Sequence, residues 1–180
     1  MPVSRSADLR FIDETLRLAR KARGRTDPNP MVGAVIVKGG KIVGQGYHHR
    51  AGLPHAEIEA FNSTDTDIAG ATLYVNLEPC SHFGRTPPCA DAIIRAGIRR
   101  VVCCTLDPNP QVNGRGVAKL RKGGIKVRIG LRAKEARELN AEFFGRYEKK
   151  PPRTQRSRQK SPGSELGSGA GRQNQRSGQV

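Results

Sequence analysis

The stretch MVGAVIVKGGKIVGQGY, residues 31–47, decides the fold of this chain. Its first half, 31–37, is a continuous apolar run rich in β-branched residues, which is typical of a buried strand. The sequence KGGK at 38–41 supplies the glycines that a tight hairpin turn favours, and 41–47 forms the return strand. The stretch therefore predicts an antiparallel hairpin within a sheet.

Outward from this hairpin, helices and strands alternate. Upstream, residues 8–22 carry apolar side chains at helical spacing, with Asp8 placed to cap the helix and Gly24 placed to end it. Downstream, the patterns predict helices at 55–62, 89–97, 116–124 and 132–147 and strands at 71–77, 99–106 and 125–130. Strands that alternate with helices run parallel and are covered on both faces. The order predicts an α/β fold, a three-layer α/β/α sandwich with a five-stranded mixed sheet.

Length and composition indicate one folded domain. The chain has 180 residues, which is enough for a single sizeable core. We place this domain at 1–147 and expect 148–180, a basic segment rich in Pro, Gly, Ser and Gln without aromatic residues, to be a disordered tail. No apolar stretch approaches the roughly 20 residues that span a bilayer, and the N-terminus lacks a signal-peptide core. We therefore expect a cytoplasmic protein with no membrane partner.

The formal net charge of +16 is spread over both parts of the chain. Residues 148–180 contain eight Lys/Arg and two Asp/Glu, and residues 1–147 contain 24 and 14. A basic surface favours anionic partners, either phosphate esters or nucleic acid, without choosing between them. An ordinary solvated surface explains the charge equally well, and a cationic RNA-binding arm is the alternative to a disordered tail.

The segment LEPCSHFGRTPPCA, 77–90, raises the question whether Cys80 and Cys89 form a disulfide or hold a metal. Disulfides are rare in the cytoplasm, where paired cysteines more often bind metals or take part in chemistry. His55 lies at the start of a predicted helix, Cys80 follows a predicted strand, and Cys89 opens the next helix. Because strand C-termini and helix N-termini meet at one edge of such a sheet, these three side chains can converge.

One imidazole and two thiolates suit Zn²⁺, and three protein ligands leave a position for water, which marks a catalytic site. His82 is the candidate fourth ligand of a structural site, but it lies so close to Cys80 that a shared metal would be strained. Glu57, two residues after His55, can take a proton from water and deliver it to a leaving group. Its alternative role is that of a helix-start carboxylate. The order His-x-Glu, Pro-Cys, Cys is the pattern of zinc deaminases that act on cytosine- and adenine-type bases.

Five segments in order carry a family resemblance: TDPNPMVGAVIV, HAEIEA, EPCSHFGRTPPC, AIIRAGIRRVV and DPNPQVNGRG. Over about residues 8–147 they closely resemble the diaminohydroxyphosphoribosylaminopyrimidine deaminases of the riboflavin pathway. Common nucleoside, nucleotide and tRNA deaminases have two residues between the cysteines, whereas this chain has eight. The resemblance implies a cytidine deaminase-like fold and the hydrolytic removal of an amino group from a pyrimidinone ribosylamino 5′-phosphate, with release of ammonia.

The resemblance also suggests which residues bind the substrate. We expect Arg85 to bind the 5′-phosphate through a bidentate contact and Asn29 to form a hydrogen bond with the ring or the ribose. Four further candidates carry over from the family, and their alternative is a structural role in turns and loops: His48, Ser81, His82 and Asn109. Cys103 and Cys104 lie in an apolar strand and are interpreted as small core residues.

In this family the deaminase is usually fused to a C-terminal NADPH-dependent reductase, into which this sequence does not continue. We expect either a reductase supplied by another chain or a truncated or frameshifted gene, and the resemblance implies a homo-oligomer. The rival functions are a nucleic-acid or nucleotide base deaminase and a truncated, non-catalytic zinc-binding remnant. The cysteine spacing and the 4% aromatic content disfavour the first and make a nucleic-acid partner unexpected, and the intact Glu57 disfavours the second.

Overall fold

The computed structural model describes residues 4–84 and 87–148, which form helices and strands in the predicted alternation. In chain order these are α1 (Arg5–Arg20), β1 (Gly33–Lys38), β2 (Lys41–Tyr47), α2 (Ala56–Asn62), β3 (Thr72–Val75), α3 (Cys89–Arg95), β4 (Arg100–Cys103), α4 (Arg115–Lys122), β5 (Lys126–Ile129), α5 (Ala133–Leu139) and α6 (Ala141–Tyr147). None of the helices within the described ranges has the length and apolarity needed to cross a membrane. Apart from its first residue, the predicted tail at 148–180 lies outside the described residues.

The five strands form one mixed sheet in the order β2-β1-β3-β4-β5. β1 pairs antiparallel with β2 and β3, whereas β3, β4 and β5 run parallel. In the hairpin turn, Gly39 and Gly40 have φ values of 59° and 77°, a left-handed conformation that glycine adopts without strain. The predicted hairpin and five-stranded mixed sheet are confirmed.

A separate apolar cluster covers each face of the sheet. Ala34 and Ile36 of β1 belong to the cluster that includes α2, α3 and α4. Val35 and Val37 belong to the cluster on the other face, which includes α1 and α5. Side chains on a strand alternate between faces, so one strand contributes to both cores. The three-layer sandwich is therefore confirmed.

Helix α1 begins earlier than the sequence pattern predicted. It starts at Arg5, and the side chain of Ser4 caps it by accepting a backbone hydrogen bond from the first turn. The prediction that Asp8 caps the helix was wrong, because Asp8 lies inside α1. The helix ends at Arg20, about one turn before Gly24, so the prediction that Gly24 ends it was also wrong.

Asp8 is instead the acceptor of a buried polar cluster. Its carboxylate accepts hydrogen bonds from the Tyr74 hydroxyl at 2.7 Å, from both terminal nitrogens of Arg100 at 2.8 and 2.6 Å, and from Arg128 at 2.9 Å. Burial by itself raises the pKa of Asp8, but the hydrogen bonds from Arg100 and Tyr74 and the charges of Arg100 and Arg128 outweigh it, so the pKa is lowered. The cluster thus ties α1 to the sheet.

Asp8→Ala should lower the free energy of unfolding by about 3 kcal/mol, the lower end for breaking a buried ion pair, because both arginines are partly exposed. Since the folded pKa is lowered, the stability that Asp8 contributes is present above the ordinary value of 3.8 and is lost as the pH falls through the folded value. Urea denaturation measures both effects. Asp13→Ala, which removes an exposed pair with Arg132, should cost less than about 1 kcal/mol. Equal losses in the two variants would contradict this account.

The C-terminal helix is divided at Asn140, so the prediction of one helix over 132–147 was wrong. Asn140 has φ −110° and ψ 29°, which lies outside the helical region. Its side-chain Oδ1 accepts from the Met31 backbone N–H at 2.7 Å, and its Nδ2 donates to the Met31 carbonyl at 3.0 Å. An asparagine side chain that bonds to backbone competes with regular helix. Helical periodicity cannot reveal a partner 109 residues away.

Candidate zinc site and substrate cavity

Three side chains of types that bind metals meet at the edge of the sheet where the parallel strands end. His55 is the N-cap of α2, Cys80 lies in the loop after β3, and Cys89 is the first residue of α3. His55 Nδ1 lies 3.6 Å from Cys80 Sγ and 3.3 Å from Cys89 Sγ. The three donor atoms all lie within 4.8 Å of one another. The fold therefore brings together the residues that the sequence pattern selected.

These distances fit the edges of a tetrahedral zinc site. With Zn–S near 2.3 Å and Zn–N near 2.0–2.1 Å, tetrahedral angles place nitrogen and sulfur ligands about 3.6 Å apart. Cys80 and Cys89 are free thiols rather than a disulfide. Cys103 and Cys104 are fully buried in the apolar clusters, in agreement with their interpretation as core residues. The donor set of one imidazole and two thiolates fits Zn²⁺.

The two thiols do not titrate alike. The Cys89 thiol, His55 and the Cys89 backbone N–H, which lies 3.3 Å from Cys80 Sγ, lower the pKa of Cys80 to about 4 against the effect of burial. The hydrogen bond with Cys80 raises the pKa of His55 to about 8. The pKa of Cys89 is raised, because its proton is shared with Cys80 and its surroundings are buried. These shifts favour a thiolate at Cys80 beside a protonated His55 in the absence of a metal, and a divalent cation would displace the remaining protons.

Glu57 lies in the first turn of α2 and is only 3% exposed. Together with His55 and Cys80 it lines a common cavity. Burial raises the pKa of Glu57, and the charge of His55 opposes this effect. A raised pKa brings the carboxyl group closer to neutral pH, where general acid–base catalysis is most effective. The arrangement can therefore move a proton beside a bound metal.

The cavity beside these residues has a volume of about 410 Å³. Its wall includes four of the residues predicted to bind substrate: Asn29, His48, His82 and Asn109. Ser81 is not among the described residues that line it, and Arg85 lies outside the described residues. Apolar side chains complete much of the wall, among them Pro28, Pro30, Val32, Leu53, Leu77, Phe143 and Tyr147.

The Asn29 amide is oriented by His48. His48 Nδ1 lies 2.9 Å from the Pro54 carbonyl oxygen, and Nε2 lies 3.1 Å from Asn29 Nδ2. Since a carbonyl only accepts, Nδ1 carries the hydrogen and Nε2 accepts from the Asn29 amide. Burial lowers the pKa of His48, which favours this neutral form. Because Nδ2 of Asn29 is hydrogen-bonded to His48, Oδ1 of Asn29 is the atom that can accept a hydrogen bond from a substrate.

His82 and Asn109 use their side chains differently. His82 lines the cavity, and its Nδ1 is buried without a hydrogen-bond partner among the described residues. Asn109 Oδ1 accepts from the Gln111 backbone N–H at 3.0 Å, and its own N–H donates to Asp107 at 2.8 Å. Asn109 therefore organises a turn as well as lining the cavity.

Two buried carboxylates beside the site were missed by the sequence analysis. Glu78 accepts backbone N–H hydrogen bonds from Asp107, Gly114 and Val117 at distances of 2.8–3.2 Å. It thereby fastens the loop between β4 and α4 to the segment that carries Cys80. Asp107 lines the cavity, and burial raises its pKa to about 6. Both lie in quoted motifs, EPC and DPNP, but a motif alone does not show whether a carboxylate faces backbone or cavity.

Residues 5–105 match the family model described as the cytidine and deoxycytidylate deaminase zinc-binding region. The chain is similar to riboflavin biosynthesis protein RibD of Aquifex aeolicus, with 60% identity over 140 residues, which are 78% of this chain and 39% of the relative. It is also similar to the diaminohydroxyphosphoribosylamino-pyrimidine deaminase of Buchnera aphidicola subsp. Schizaphis graminum, with 50% identity over 136 residues. That alignment covers 76% of this chain and 92% of the relative.

Among solved structures, the fold is similar to a diaminohydroxyphosphoribosylaminopyrimidine deaminase/5-amino-6-(5-phosphoribosylamino)uracil reductase from Thermotoga maritima. The TM-score is 0.76 at 46% identity, over 79% of this chain and 41% of the other. The chain thus spans about two fifths of the length of the RibD relatives it matches and nearly all of the Buchnera relative.

Proposed function

The chain belongs to the diaminohydroxyphosphoribosylaminopyrimidine deaminases of the cytidine and deoxycytidylate deaminase zinc-binding family, and we propose that it performs their reaction. The substrate is 2,5-diamino-6-ribosylamino-4(3H)-pyrimidinone 5′-phosphate. Water replaces one ring amino group, and the products are 5-amino-6-ribosylamino-uracil 5′-phosphate and ammonia. This reaction belongs to riboflavin biosynthesis.

The observation that carries the proposal is the cluster of His55, Cys80 and Cys89 beside the buried Glu57 at one cavity. A structural zinc site has four protein ligands, whereas this cluster supplies three. In the described part of the chain, His82 is not a member of the cluster. These features support a catalytic Zn²⁺ held by His55, Cys80 and Cys89.

Zn²⁺ bound at these residues would activate a water molecule for attack on the ring carbon. The Glu57 carboxylate accepts a proton from the attacking water and gives it to the leaving amino nitrogen, so that ammonia departs neutral. Asn29 accepts a hydrogen bond from the substrate through Oδ1, and His82 also lines the cavity. The apolar side chains of the wall, among them Val32, Leu77 and Phe143, supply nonpolar surface around the space for the reacting ring.

We further propose that the enzyme is located in the cytoplasm. A thiolate metal centre requires reduced cysteines, which supports a cytoplasmic location. Ser81 and Asn109 stay predictions as substrate contacts, with Asn109 supported by its place in the cavity wall. A homo-oligomer, and a reductase on another chain that consumes the product, also stay predictions.

Arg85→Ala should lower kcat/KM for the phosphorylated substrate by roughly 10- to 150-fold, because a charge-assisted pair between Arg85 and the phosphate would contribute about 1.5–3 kcal/mol to binding. The unphosphorylated nucleoside analogue should react poorly with the wild type and be almost indifferent to the substitution. Arg85→Lys should restore part of the loss, since it keeps the charge but not the fork. Ammonia release measured for both substrates with all three proteins checks this result. Equal losses on the two substrates would contradict a phosphate contact by Arg85.

A further inference from the structure

We propose that Asn140 is a positioning residue for this reaction: it fixes the backbone of Met31 and thereby the segment 28–32, which places Asn29 in the cavity wall. The inference rests on the proposed function. It assigns a role in the site to the junction of α5 and α6, an element with no motif in the sequence.

The side-chain amide of Asn140 forms two hydrogen bonds with the backbone of Met31. Asn140 Oδ1 accepts from the Met31 N–H at 2.7 Å, and Nδ2 donates to the Met31 carbonyl at 3.0 Å. Asn140 is only 4% exposed, so its amide is largely buried. The helix is interrupted at this residue, which leaves its backbone outside the helical region. The oxygen and the nitrogen of the Asn140 amide are thus both paired with Met31, at a residue where the helix is interrupted. We take this to mean that Asn140 holds the Met31 backbone in one position.

A second buried amide holds the same strand entry from the sheet side. Asn76, directly after β3, accepts from the Gly33 N–H through Oδ1 at 2.8 Å and donates to the Met31 carbonyl through Nδ2 at 3.0 Å. The Met31 carbonyl therefore accepts from both asparagines. The backbone at 31–33 is fixed between the end of β3 and the α5–α6 junction.

The fixed segment reaches into the cavity. Pro28, Asn29, Pro30 and Val32 all line its wall. Proline locks φ, so the two prolines that flank Asn29 transmit the position of Met31 to the amide. The other end of the segment is also held from α6, because Arg146 donates to the Pro28 carbonyl at 2.8 Å. Asn140 thus holds one end of the segment and α6 holds the other, and α6 also contributes Phe143 and Tyr147 to the same wall.

The test is a double-mutant cycle between Asn140→Ala and Asn29→Ala in the zinc-loaded protein, with kcat/KM from ammonia release. We expect Asn140→Ala alone to lose about 10- to 100-fold, the scale of a displaced substrate-positioning group. In the Asn29→Ala background the same substitution should cost less than about threefold, because the group it positions is already gone. Zinc content should stay stoichiometric in every variant.

Hydrogen exchange gives a readout that does not depend on turnover. In Asn140→Ala the Met31 amide should exchange faster than in the wild type, whereas the amides of β4 should be unchanged. Val102→Ala is the control for simple destabilisation. Val102 is fully buried in the apolar cluster that includes α1 and α5, and it does not line the cavity. It should lower the melting temperature and keep kcat/KM.

Equal losses from Asn140→Ala in the wild-type and Asn29→Ala backgrounds would overturn the inference, as would full activity of Asn140→Ala. An equal loss of kcat/KM in Val102→Ala would also overturn it, because destabilisation alone would then explain the effect. Inactive wild-type protein would overturn the proposed function itself and the inference with it. Active wild-type protein with an unaffected Asn140→Ala variant would overturn only the inference.

Discussion

Cys89→Ala should leave the protein without stoichiometric zinc and without measurable deaminase activity. Cys89 Sγ lies 3.3 Å from His55 Nδ1, and its loss leaves two protein ligands where a catalytic zinc site has three. Because metal binding contributes to folding, the melting temperature should fall as well. Metal analysis of the purified protein measures the first effect, and ammonia release across a zinc titration measures the second. Cys80→Ala should behave in the same way.

Cys103→Ala is the matched control for these variants. It removes the same thiol from a fully buried position in β4 that belongs to the core. It should lose some stability and keep both zinc and activity. A Cys89→Ala protein that retains one zinc per chain would contradict the assignment of the ligands. Loss of zinc from both variants would show that unfolding, rather than ligation, explains the result.

Glu57→Gln should retain zinc and the fold but lose at least about 100-fold in kcat, the usual scale for a general acid–base group. The amide is nearly isosteric with the carboxyl group but cannot accept the proton from water. The buried position of Glu57 beside His55 and Cys80 leaves little room for solvent to replace it. Turnover of the pyrimidinone phosphate, together with metal analysis of the same samples, checks this expectation.

Glu59→Gln is the control within the same helix. Glu59 is partly exposed and lies 4.0 Å from His49 at the surface, and it does not line the cavity. Its substitution should leave kcat and zinc content unchanged. Unchanged turnover in Glu57→Gln would remove Glu57 from the mechanism, even with the zinc ligands intact.

The parts of the fold that the sequence predicted depend on local patterns. The hairpin follows from its two glycines, and the later strands follow from apolar runs between amphipathic helices, so the sheet could be predicted. The buried role of Asp8 and the division of the last helix at Asn140 could not. Their partners lie about 66 to 120 residues away, and no periodicity carries that information.

The candidate site shows the same division. The pattern of His55, Glu57, Cys80 and Cys89 has a fixed order and a known chemistry, so it identified four residues that the fold brings to one edge. The roles of the residues that hold this site in place, such as Glu78 and His48, could not be predicted, because these roles depend on the orientation of the side chains. Glu78 turns its carboxylate to three backbone N–H groups, and His48 holds the Asn29 amide. Sequence alone does not show where such side chains point.

The most direct test of the account is a product analysis with the zinc-loaded protein and 2,5-diamino-6-ribosylamino-4(3H)-pyrimidinone 5′-phosphate in water enriched in heavy oxygen. We expect one ammonia released for each substrate consumed. We also expect one labelled oxygen in the 5-amino-6-ribosylamino-uracil 5′-phosphate formed, and a much lower rate with Glu57→Gln or with chelator-treated protein. No ammonia above the Glu57→Gln background, or a higher kcat/KM for cytidine or deoxycytidylate than for the pyrimidinone phosphate, would contradict it.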